Sequence, residues 1–77
     1  MDIERLLLKA WDEAAVGRDR EIVRKLLVTA HNAAQQVVAK HKGKVPVSEL
    51  QRSLKTLYLA NRVSDDTATK IVVELTK

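Results

Sequence analysis

Residues 19–42 contain neither proline nor glycine and carry one unbroken helical period, and this run constrains the fold more than any other stretch. Val23, Leu27, Ala30, Ala34, Val37 and His41 recur in steps of four and three. Ile22, Leu26, Ala33 and Val38 widen that series into the broad stripe of a core-facing helix. Opposite lie Arg24, Lys25, Asn32, Gln35, Gln36 and Lys40, all hydrophilic and partly cationic. The other segments read as shorter helices that cover this one.

Their ends are legible from capping chemistry. Asp2 is placed to cap a first helix over 2–15, with Ile3, Leu7, Ala10, Trp11 and Ala14 on one face. Gly17 is the expected left-handed stop, and Asp19 the cap of the central helix. Lys40, His41 and Lys42 suit the negative end of that helix, with Gly43 and Pro46 ending it. Ser48 and Gln51 match a capping box that opens a third helix over 48–60, facing inward through Leu50, Leu54, Leu57 and Tyr58. Residues 61–64 make a turn, and Ser64 caps a fourth helix over 64–77, favoured by Asp65 and Asp66 in its first turn. Its β-branched residues, among them Ile71, Val72 and Val73, leave a strand over 70–77 as the alternative. The fold class is therefore all-α, a small four-helix bundle-like single domain with one long central helix.

Seventy-seven residues with no cysteine and only two aromatics, Trp11 and Tyr58, must build an aliphatic and alanine core. Such a core removes less area per residue from water than an aromatic one, which leans towards a homodimer or larger assembly. Nothing resembles a secretory segment or membrane span, because charged and amide side chains interrupt every apolar run. The expected location is cytoplasmic or nucleoid-associated, or inside a soluble particle. The net charge is +4, unevenly spread. Residues 20–62 hold nine cations against two anions, while the flanking segments are weakly acidic. A block of that kind is the electrostatic footprint of a polyanion partner, although charge runs also serve simply as solvated faces.

Catalytic groups do not converge. His31 and His41 lie ten residues apart on one helix, about 15 Å along its axis, too far to share a metal. There is no glycine-rich phosphate loop and no cysteine nucleophile, and Asp65-Asp66 is explained by capping. The expectation is a non-enzymatic protein without cofactor, metal or small-molecule substrate.

The expected partner is duplex DNA, held through its phosphates by Arg24, Lys25, Lys40, Lys42, Lys44, Arg52, Lys55 and Arg62. Single strands are disfavoured, because both aromatics are needed for packing. A helix-turn-helix reading fits poorly, since its recognition helix would begin with two phosphate-repelling aspartates. Ala39-Lys40-His41-Lys42-Gly43-Lys44 and Arg62-Val63-Ser64-Asp65-Asp66 each resemble loop-flanking segments of archaeal-type histones. They stand in the reverse order to that family, and the resemblance adds only a slight weight to DNA. The competing expectation is a helical interaction or assembly subunit. Its interface would use Trp11 and the small-residue seam of Ala30, Ala33 and Ala34, which within one chain could equally receive Trp11 and Leu7.

Overall fold

Four α-helices make up the computed structural model, which describes residues 3–77: α1 (Ile3–Ala14), α2 (Arg20–His41), α3 (Val47–Leu59) and α4 (Asp65–Leu75). The all-α expectation holds, and residues 70–75 are helix, because Ile71 and Val72 are needed on the inner face beside Ala68 and Thr67. Asp2 as a cap of α1 lies outside the described residues.

Each helix packs on its neighbours in sequence, and α4 closes the ring on α1. Short turns make successive helices antiparallel. Trp11 near the end of α1 meets Arg20 at the start of α2, and Gln51 near the start of α3 meets Thr76 after α4. The body measures 38 × 20 × 18 Å, its long axis set by the 22 residues of α2.

The core is a ladder of one or two residues per turn from every helix. Leu6, Ala10 and Ala14 meet Val23, Leu27 and Ala34 of α2, Leu50, Leu54 and Tyr58 of α3, and Ala68, Ile71 and Val72 of α4. The centre of α1 is thus Leu6 rather than Leu7. α1 touches both α2 and α4, so its most buried line bisects those two contacts and leaves Leu7 and Trp11 at the edge. The stripe of α2 is likewise narrower than its period implies, with Ile22 and Leu26 exposed.

Most ends follow the chemistry read from the sequence. Asp19 accepts from the Glu21 and Ile22 amides at 2.9 and 3.3 Å. Ser64 accepts from the Thr67 amide. Gly43 has φ +80° and follows Lys42 at φ −59°, ψ 127°, while the Lys44 amide donates to the His41 carbonyl. That is a type II turn, which requires positive φ at its third residue.

The capping box at Ser48 is not formed. α3 begins at Val47, and the Pro46 carbonyl accepts from both Glu49 and Leu50 amides, so Ser48 already lies inside the first turn. Gln51 is drawn instead to the Thr76 hydroxyl, 2.9 Å away. α3 ends in a Schellman arrangement: the Val63 amide donates to the Tyr58 carbonyl and the Arg62 amide to that of Leu59. Arg62 occupies the left-handed position, φ +67°, where glycine is usual.

Candidate nucleic-acid interface

The eight cations chosen from the sequence do not form one patch. Lys40, Lys42 and Lys44 gather at the end of α2 and in the turn to α3, all exposed. Lys42 Nζ donates to the Lys77 carbonyl at 3.2 Å, which brings the tail of α4 to the same end. Arg62 sits past the other end of α3, separated from Lys44 by the roughly 20 Å length of a 13-residue helix. Arg24 and Lys25 lie on the outer face of α2, about 24 Å of helix from Lys40. Arg52 is exposed on α3, beside a shallow depression against α4 that Lys55 also lines.

Ion pairing sorts them further. Lys55 is held by Asp65 at 2.9 Å, so that acid of the first turn of α4 serves an ion pair as well as the helix dipole. Among the described residues, Arg24, Lys25, Lys40, Lys42, Lys44, Arg52 and Arg62 stand in no ion pair; the remaining pairs join Arg20 to Asp12, Lys70 to Asp66 and Lys77 to Glu74. The strip running along α2 into its terminal turn is therefore positively charged without internal compensation.

The aromatics are committed to packing. Tyr58 is fully buried, and its hydroxyl shares a 2.9 Å hydrogen bond with His31 Nδ1. Burial pushes the Tyr58 hydroxyl well above its ordinary range and holds the His31 imidazole below its usual value. Trp11 is half-buried. Its Nε1 donates to the Arg20 carbonyl at 2.8 Å, and the Arg20 guanidinium lies 4.2 Å from the ring centroid.

Most of the alanine seam is taken up within the chain. Ala34 is fully buried and Ala30 nearly so, while Ala33 is half-buried. Small side chains there bring α2 close to its neighbours within the chain. Of the four interface candidates, Trp11 alone reaches an open apolar surface. That surface is a groove of about 390 Å³ between α1 and α2, lined by Glu4, Leu7, Leu8, Trp11, Arg24, Leu27, Val28 and His31. Val28 and His31 are legible from the sequence as neighbours of the seam that could enter a subunit contact, but the groove as a whole is not, because Leu8 lies off the stripe of α1.

Sequence reasoning also missed Glu13. Its carboxylate accepts from the Ser64 amide and hydroxyl at 3.2 and 3.0 Å and from the Thr67 hydroxyl at 2.8 Å. Burial alone would raise its pKa; the donors from Thr67 and Ser64, with the charge of Lys9, outweigh that and hold the carboxyl below its ordinary value. This network is a structural cap.

Among the described residues no three His, Cys, Asp or Glu side chains cluster as metal ligands, and no helix is long and apolar enough to cross a membrane. No family model, no curated protein and no solved structure matches this chain.

Proposed function

We propose that the chain is a non-enzymatic DNA-binding protein that grips the duplex backbone through the outer face and cationic end of α2. One observation carries this reading: residues 22–48 contain no Asp or Glu, while Arg24, Lys25, Lys40, Lys42 and Lys44 are all exposed along that segment. The span from Arg24 to Lys40, about 24 Å, corresponds to roughly seven base pairs of duplex axis, so the two cationic clusters can reach separate phosphates. Asn32, Gln35 and Gln36 lie exposed between the two cationic clusters, where they can approach sugar and phosphate oxygens. Backbone contacts of this kind position a protein on DNA and confer little sequence preference.

Fluorescence anisotropy with a duplex oligonucleotide over a salt series tests the proposal. Each phosphate contact lowers the slope of log K against log salt by about 0.9, so Lys42→Ala with Lys44→Ala should flatten it by about 1.8. Lys55→Ala, whose cation is already neutralised, should leave the slope nearly unchanged. Absence of binding at low salt overturns the proposal.

A further inference from the structure

We propose that the α1–α2 groove is a self-association surface that takes a second copy of this chain about a twofold axis across the groove. The proposal does not rest on the DNA reading, because it is measured without DNA; Arg24, at the junction of the cationic strip and the groove, is the one residue both use.

The first argument is apolar exposure. Leu8 is 57% and Val28 50% exposed, one on each rim, while Leu7, Leu27 and the Trp11 edge form the floor. Two ridges flanking a trough can interdigitate with their own copy, as helix pairs do when ridges enter grooves. Trp11 is a suitable anchor, since its polar N–H is already satisfied by the Arg20 carbonyl and its ring loses no hydrogen bond on being covered.

Charge selects the occupant. α1 runs antiparallel to α2, so Glu4 lines the groove towards His31, and Arg24 lines it towards Trp11. A twofold axis across the groove brings each Glu4 towards the Arg24 of the other copy, twice per dimer. A parallel arrangement would set like against like. Association through the outer face of α2 would oppose two acid-free cationic strips, which disfavours that alternative.

Sedimentation equilibrium of the full chain, from about 1 µM to about 1 mM, tests this. The wild type should show a reversible monomer–dimer equilibrium within that range. Leu8→Glu with Val28→Glu should abolish the dimer while circular dichroism reports unchanged helicity, since both side chains are exposed. Glu4→Arg alone and Arg24→Glu alone should each weaken association by about tenfold or more, and the two together should restore it towards wild type. A wild-type chain that stays monomeric throughout overturns the proposal, as does a dimer indifferent to the two glutamates. So does a double charge exchange no better than its single components.

Discussion

Glu13 of α1 accepts a hydrogen bond from the Ser64 amide 51 residues away, and thereby completes the start of α4 from a different helix. In a capping box the third helical residue returns its carboxylate to the cap amide; here that residue is Thr67, whose hydroxyl instead donates to Glu13. One carboxylate satisfies the cap amide, the cap hydroxyl and the hydroxyl of fully buried Thr67.

Glu13→Ala should lower stability by about 1 kcal/mol, the usual loss for a helix cap, and the midpoint of thermal unfolding by about 4–8 °C. Glu13→Gln keeps the size but loses the acceptor charge. Because the folded carboxyl titrates below its ordinary 4.5, its stabilisation is present above that pH and lost as pH falls through the folded value. Chemical denaturation between pH 6 and 3 should therefore show a shallower acid decline in Glu13→Gln than in wild type.

His31 acts in a separate pH window. Burial lowers its pKa from 6.5, so the unfolded chain takes up the proton first, and stability declines as pH falls below 6.5 towards the folded value. A titration of the imidazole by NMR should place its midpoint below 6.5, and His31→Leu should remove that part of the decline. Tyr58→Phe strips the partner from Nδ1 and should lower stability by about 1 kcal/mol at neutral pH.

Arg62→Gly should raise stability by about 0.5–1 kcal/mol. A left-handed residue with a Cβ carries strain of about 1–2 kcal/mol, and glycine returns part of that relief as extra freedom in the unfolded chain. A rise in the urea midpoint without a change in slope is the expected reading. Gly43→Ala should do the reverse: a Cβ there meets nothing within 4 Å, so only the backbone at φ +80° resists it.

Leu54→Ala should be severe. Its side chain is fully buried in the shared core, and removal of such a group lowers stability by about 2–5 kcal/mol. For a chain of 77 residues that is a large part of the total, and loss of cooperative unfolding by circular dichroism is the expected result.

Local chemistry made the helices and most of their ends readable from the sequence. Asp19, Ser64, Gly17 and Gly43 act within a turn of themselves, so their roles depend on nothing distant. What escaped is what long-range packing decides. The inner line of α1 passes through Leu6 because α4 returns to it, and no periodicity within α1 contains that fact. Ser48 looks like a cap, but Pro46 takes the cap position two residues earlier. For the candidate site, the cationic excess was visible as composition, yet its partition was not: Asp65 removes Lys55, and the length of α3 separates Arg62 from Lys44.

The closure of α4 on α1 also bears on how the chain acquires its shape. Three of the four main helix contacts join consecutive helices through short turns, and such local contacts can nucleate early because they close short loops. The fourth must wait until both ends of the chain have been gathered, and Glu13 is fastened across that last seam. A group that engages after the rate-limiting barrier governs escape from the native state rather than arrival at it, so Glu13→Ala should quicken unfolding in stopped-flow experiments and leave the refolding rate almost untouched.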